Sequence, residues 1–462
     1  MKAAEAILIV GTVIAVAAFG GTEPLSFAFV EILFFAAGIW LLLRPPAVAT
    51  PVPSGHFLVP ALLTAVVLVQ LGPLPVSLVS RIAVHAAYGE EHLSALTFAS
   101  YNSRSALLIL LACFVAFFVS RMVNQDRARK ARLIYALVAL AVVEAFYGLA
   151  QYLMNVQTIF WFSKKYDLEE ATGTYINRNH FAGMLEMVLP FAVSLAIYEG
   201  ERLLARRKRR HGGSSDASRA QKIAGDHKAY AMILWLALAV VLMVAIVFSR
   251  SRMGILASSF SILAIFSLKL LQRKQKAFPM ALGAVFVALS LWLAVWIGVR
   301  PALTRFKNIG QEFSGNESRL SLWPATLKLI AAHPFTGTGL GTFPIAFTQV
   351  QKTFLRNFVP HAHNDYLEFA SDLGVPAALL LFGGIIFVLV RAVRNSFRGE
   401  GKYDPAISLA CCGSILAILL HSFTDFNLHI PANALLFAVI LGLSLAPSSQ
   451  NFSLPNSPAE AG

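Results

Sequence analysis

Uninterrupted apolar runs, rather than alternating or 3.6-residue stripes, organise this chain. Stretches near the 17–25 residues that cross a bilayer occur at 4–20, 26–43, 57–72, 105–120, 133–152, 181–198, 229–248, 253–271, 279–299, 366–390, 406–422 and 430–446. They predict an all-α polytopic integral membrane protein of about twelve transmembrane helices with both termini on one side. The first and third runs are short. The first follows a single Lys2, as a signal peptide would, but the second begins almost at once, with no cleavage-type spacing.

Composition sharpens this reading. Of 462 residues, 57% are hydrophobic and 13% charged, against about 25% charged in soluble domains; the mean hydropathy is +0.66. A disordered chain, a nucleic-acid module and a secreted disulfide scaffold are excluded as descriptions of the whole. The net charge of +14 belongs to the ends of spans. With the N-terminus inside, 24 of the 38 Lys and Arg residues fall on inner segments, so both termini are expected in the cytoplasm. The tract Arg206–Arg210 then reads as a stop-transfer and anionic-lipid signal. Cys113, Cys411 and Cys412 lie inside apolar runs and frame no disulfide or zinc pair.

Three outer segments, 73–104, 153–180 and 300–365, are long for simple connections; the largest joins the ninth and tenth spans. Within it Leu320, Trp323, Leu327 and Ile330 recur at helical spacing, suited to a helix lying on the membrane surface. Because Pro324 is best tolerated in a first turn, that helix is expected to start near Ser321 and to end at Pro334 and the run Gly337-Thr-Gly-Leu-Gly341. No βαβ pattern surrounds these glycines, which excludes a dinucleotide fold. The chain divides into N-terminal spans over 1–172, a membrane region over 173–446 that includes the loop 300–365, and a cytoplasmic tail over 447–462 expected to be disordered.

Candidate chemistry gathers on the outer face, where eight of eleven histidines fall: His85, His92, His180, His333, His361, His363, His421 and His429. The densest cluster is Pro360-His-Ala-His-Asn-Asp-Tyr-Leu-Glu-Phe-Ala-Ser-Asp-Leu-Gly374. Asp365 and Glu368 read most simply as a capping box. His363 precedes a helix N-terminus, whose dipole disfavours imidazolium, and a neutral interfacial histidine is a candidate general base. Ser249-Arg-Ser-Arg252 forms a tight outer hairpin whose arginines either snorkel to headgroups or bind an anion; Arg319 could join them. His421 and Asp425, four apart, share a helical face. Asn177, Arg178, Asn179 and His180 contact a sugar or phosphate or, equally, cap the next helix. His361, His363, Asp365, His421, Asp425 and His429 assemble into a metal site only on paper.

With these residues in view, the chain resembles the O-antigen ligase and polymerase superfamily, membrane glycosyltransferases of bacterial envelopes. The resemblance runs over about 172–446. It rests on Thr172-Gly-Thr-Tyr with Asn177-x-Asn-His-Phe-Ala182, Ser251-Arg-Met-Gly254, Arg319-Leu-Ser-Leu-Trp323 followed by His333-Pro-Phe-Thr-Gly-x-Gly339, His363-Asn364 with Gly374, and His421 with Asp425. Ala377 departs from it, standing where the family carries Gly, Thr or Tyr. The resemblance implies a GT-C-like enzyme of the bacterial inner membrane that moves a glycan from undecaprenyl pyrophosphate to an acceptor hydroxyl at the periplasmic face, without metal ion or cofactor. The acceptor would be lipid A–core or a growing glycan. The matching positions are His363 and Asp425 for catalysis and Arg252 and Arg319, with Arg250 as competitor, for pyrophosphate; Asn177, Asn179, His180, His361, Asn364 and His421 are candidate substrate contacts. A repeat-unit polymerase is the nearest alternative. A membrane anion transporter using the same arginines is the alternative of another class, although transport sites lie near the bilayer midplane. A metal-dependent membrane hydrolase built on the histidines is a third.

Overall fold

The computed structural model describes residues 2–44, 52–73, 95–211, 219–272, 277–297, 319–351, 358–398 and 403–447. His85, His92, most of 73–104, the part of the large loop before Arg319, and the tail beyond 447 lie outside them. The described chain is helical almost throughout. In order it forms α1 (Lys2–Ala17), α2 (Pro24–Leu43), α3 (Gly55–Leu71), α4 (Ser100–Val123), α5 (Arg127–Leu153), α6 (Arg178–His211), α7 (Arg219–Phe248) and α8 (Arg252–Gln272). Next come α9 (Ala277–Ile297), α10 (Arg319–Ala332), α11 (Phe343–Ala346), α12 (Asp365–Leu373), α13 (Val375–Ser396), α14 (Tyr403–His421) and α15 (Pro431–Ser444). Among the described residues, eight helices are long and apolar enough to cross a membrane, and four shorter apolar helices accompany them.

The core sits around α6, whose apolar stretch is wholly buried. It is flanked by α7, α8 and α14, while α15 packs on α4. Small residues bring backbones together, as expected where apolar burial alone does not drive helix association. A Cβ on Gly413 of α14 would meet Pro190 of α6 at 2.9 Å, and Ser414 donates to the Met187 carbonyl at 2.5 Å.

Three local expectations change. The apolar run 366–390 is two helices, α12 and α13, broken at Gly374. There φ is +82° and ψ 156°, a region essentially confined to glycine, and a Cβ would strike the Phe335 carbonyl. Gly374→Ala is expected to destabilise the protein by about 1–3 kcal/mol from backbone strain, visible as a lowered thermal midpoint. Second, α10 begins at Arg319, placing Pro324 beyond the first turn. Its buried face is Leu329, Ile330 and Thr326, whereas Leu327 is 53% exposed; Leu329 joins Phe343, Phe347 and Ala362 in a small separate core. Third, the segment after α5 carries a two-stranded hairpin, β1 (Thr158–Ile159) with β2 (Phe162–Ser163). Phe160, Trp161 and Phe162 at its tip are exposed, as aromatic side chains are at a membrane–water interface.

The glycine run after α10 is clamped onto α12. Gly337, Gly339 and Gly341 all have positive φ, which explains the residue type. Buried Gln70 of α3 donates to the carbonyls of Thr336 and Asp372 at 2.7 and 2.8 Å and accepts from Leu340 N–H at 3.2 Å. The Gly341 N–H donates to the Asp372 carboxyl at 2.6 Å.

Candidate active site

At one end of the bundle the start of α6, the segment before α12, and the turn between α14 and α15 meet. Asn177 caps α6, accepting from Asn179 N–H at 2.8 Å, the role its residue type favours. The preceding Thr-Gly-Thr-Tyr stretch is held by packing. Buried Glu144 of α5 accepts from Thr174 N–H and Oγ1, both at 2.9 Å, and Tyr175 Oη donates to Asn433 Oδ1 at 2.8 Å. This sets His180, buried on the first turn of α6, against the α14–α15 turn, and Asn433 of α15 donates to the His180 carbonyl at 2.9 Å.

Asp425 is the hub of this end. Its side chain is fully buried and faces three histidines: His363 Nδ1 at 3.6 Å, His180 Nε2 at 3.8 Å and His421 Nε2 at 4.0 Å. Its Oδ1 accepts the Phe426 N–H at 2.9 Å. On the far side of His421, Nδ1 lies 2.9 Å from Glu186 of α6. The Phe426 ring sits among the imidazoles, stacked on His361 at 3.9 Å and edge-on to His180 and His363 at 4.7 and 4.9 Å. Of the three histidines facing Asp425, His363 has the most exposed side chain, at 23%. Its φ is +49°, a left-handed conformation that is uncommon in non-glycine residues and clusters at functional sites.

Beside this hub lies a second carboxylate–histidine cluster. Asp365 lies 2.7 Å from His429 Nδ1 and accepts from Ser422 at 2.8 Å. Glu368 lies 2.7 Å from His361 Nδ1 and accepts the Ala362 N–H at 2.8 Å. The capping box expected from Asp365 and Glu368 is therefore replaced. Asn364 is the cap, accepting from Leu367 N–H at 3.0 Å, and both acids are buried partners of histidines. Burial opposes the charge on His429, but Glu368, Asp365 and Asp372 outweigh it and raise His429 to about 9. Burial, reinforced by Glu368, pushes the Asp372 carboxyl up to about 8.

Both shifts have one consequence for stability. A histidine raised above its ordinary 6.5 stabilises fully below that value and less as pH climbs through about 9. A carboxyl raised to about 8 stays protonated in the fold while the unfolded chain ionises, so stability again falls with rising pH. Thermal unfolding midpoints are expected to drop between pH 6.5 and 9, and His429→Gln to flatten that slope.

The arginines divide. Arg250, also left-handed at φ +53°, pairs with Glu169 at 3.0 Å and Glu170 at 3.7 Å, tying the hairpin to the loop before α6. Arg252 opens α8 and is partly exposed. Two residues on, Gly254 lies so close to α6 that a Cβ would meet Ala182 at 2.7 Å, which sets the start of α8 beside the His180 turn. Arg319 opens α10; its side chain lies outside the described residues.

An apolar cavity of about 250 Å³ leads away from the second cluster between α3, α4, α13 and α15, with Gly341, Phe369 and His429 at one end and His56 and Leu445 at the other. Among the described residues, no group of three or more His, Cys, Asp or Glu side chains is arranged to hold a metal ion.

Sequence reasoning passed over Glu186 and Phe426. Glu186 carried a usable signal, a lone acid inside an apolar run, which is expensive and tends to be functional. Phe426 carried none, because an aromatic residue in an interfacial turn is commonplace.

Residues 237–382, about a third of the chain, match the family model described as O-antigen ligase, which supports the O-antigen ligase and polymerase superfamily. No curated protein matches the chain. The matched segment includes Arg252, Arg319 and His363, whereas His180, Glu186, His421 and Asp425 come from outside it.

Proposed function

For a membrane protein carrying an O-antigen ligase domain, and so of glycosyltransferase type at the level of the family, we propose transfer of a glycan from undecaprenyl pyrophosphate to an acceptor hydroxyl at the periplasmic end of the bundle. The observation that carries this reading is the partly exposed His363 held against the buried carboxylate of Asp425. His363 Nδ1 faces that carboxylate, leaving Nε2 to take the proton of the attacking hydroxyl. The acceptor oxygen forms the new bond to the anomeric carbon as the bond from that carbon to the pyrophosphate oxygen breaks. The pyrophosphate departs with the bonding pair. Arg252 and Arg319 meet its growing negative charge, since fixed guanidinium groups in a water-poor site stabilise charge that develops in the transition state. Asp425 orients His363, and Glu186 holds His421 beside it. The apolar cavity ending at Phe369 and His429 supports a polyprenyl tail reaching the site from the membrane.

Turnover of an undecaprenyl-pyrophosphate glycan by purified protein in EDTA-treated liposomes tests the reading. Parallel reactions would contain or omit lipid A–core. Acceptor-dependent transfer marks a ligase, and chain growth without that acceptor marks a polymerase. Loss of turnover in EDTA would point instead to metal-dependent chemistry. No glycan consumption in either reaction, with the protein folded, would sink the proposal. Arg252→Ala is expected to lower turnover at least tenfold more than Arg250→Ala, because Gly254 seats the start of α8 beside the His180 turn whereas Arg250 points to Glu169 and Glu170 of the preceding loop; the order of magnitude comes from losing one preorganised contact to the developing charge.

A further inference from the structure

The opposite end of the bundle holds a second cavity, of about 270 Å³, whose lining is strongly basic. The fourteen residues of α15, at about 1.5 Å each, separate it from the histidine clusters by roughly 20 Å. Arg121 of α4, Lys130 of α5, Arg391 of α13 and Arg398 just beyond it all line this cavity, together with His56. Asp404 is the sole carboxylate among the described lining residues, and it is taken by Lys130 at 2.7 Å. Lys130 also donates to the Pro447 carbonyl at 2.6 Å. The guanidinium groups of Arg121, Arg391 and Arg398 line one space in which Asp404 is the sole acid among the described lining residues. Arg121 is 5% exposed, so part of this charge sits where water screens it poorly.

His56 and Leu445 line both this cavity and the apolar one. A basic chamber thus adjoins an apolar column between helices, with His56 and Leu445 at their junction. That pairing matches an amphiphile with an anionic head and a hydrocarbon tail, and basic pockets between membrane helices are known to hold acidic headgroups.

We propose that this cavity is a binding site for an acidic glycerophospholipid of the leaflet facing away from the histidines. Its phosphodiester lies among Arg121, Arg391 and Arg398, and an acyl chain enters the apolar column at His56 and Leu445. Guanidinium groups suit the head because they offer paired N–H donors to phosphate oxygens and keep their charge. None of its basic residues belongs to the histidine and carboxylate clusters, and its acyl chain enters from the opposite end the same apolar column that the glycan-transfer reading gives to the polyprenyl tail.

The test is lipid binding by purified protein in phosphatidylcholine nanodiscs, read by native mass spectrometry and by thermal midpoint. Phosphatidylglycerol, extra phosphatidylcholine and inorganic phosphate are titrated separately. The expected result is saturable phosphatidylglycerol binding that raises the midpoint and that neither other arm reproduces. Arg391→Glu with Arg398→Glu should weaken it by at least about tenfold, given roughly 1 kcal/mol for each basic residue near an acidic headgroup. Both positions are exposed, so the fold should tolerate the change. Arg391→Lys with Arg398→Lys should keep most of the binding, and the single Arg398→Gln variant gives a milder reading of the same loss. Unchanged phosphatidylglycerol affinity in both the reversed and the single variant would overturn the proposal. So would equal binding of phosphatidylcholine, and equal binding of inorganic phosphate would make the cavity a site for free anions.

Discussion

His363→Ala is expected to lower glycan transfer by about 10²–10⁴-fold, the range for loss of a positioned general base, while the protein remains folded. His363 donates no side-chain hydrogen bond that the fold depends on: its nearest carboxylate oxygen is 3.6 Å away and its Nδ1 has no hydrogen-bond partner. Its left-handed backbone is held by the next two residues. Asn364 caps α12 and donates to the Phe423 carbonyl at 3.0 Å, and the Asp365 N–H donates to the Ser422 carbonyl at 2.9 Å. The backbone at His363 is thus held by neighbouring contacts that alanine leaves in place. Turnover in the liposome assay, normalised to folded protein by thermal midpoint, is the measurement. Retention of more than a tenth of wild-type turnover would remove His363 from the role of base.

Asp425→Asn is the second variant with a large expected effect, a loss of about 10²-fold or more in kcat with KM little changed. The substitution keeps the volume and the acceptor for the Phe426 N–H, so packing is preserved. It removes the negative charge that three imidazoles face within 3.6–4.0 Å. Asp425 is fully buried and acts through His363, as a positioning residue. A purely structural role would lower kcat only as far as it lowered the amount of folded protein. A fall in kcat at an unchanged thermal midpoint separates the two. A rise in KM with kcat intact would instead assign Asp425 to substrate binding.

The candidate site was only partly legible in the chain. His363 and Asp425 stood out because ionisable residues at the ends of apolar runs are conspicuous, and the structure brings those two together. Asp365 and Glu368 had the spacing of a capping box, yet Asn364 accepts the capping bond. The acids turn inward because His429 and His361 offer them partners, and a buried carboxylate needs such partners more than a helix end needs a second cap. Asn177 and Asn364 both proved to be caps, the role their residue type favours. Arg250 and Arg252 were indistinguishable along the chain; the loop acids Glu169 and Glu170 engage the first.

The order of amino acids alone was enough to settle the kind of element. In an apolar medium every backbone N–H and C=O must be satisfied within its own segment, so long apolar runs had to become helices. Tertiary packing chose which polar residues share a site and where a run breaks. His421 and Glu186 meet across 235 positions of sequence, a pairing set by how α14 packs on α6. No periodicity encodes that, because a polar residue on a buried helix face specifies its need for a partner and leaves the partner's identity to helix packing. The break at Gly374 belongs to the same class. Continuous hydropathy ran through it, and the Phe335 carbonyl, brought close by the clamped glycine loop, left room there for a residue without a side chain.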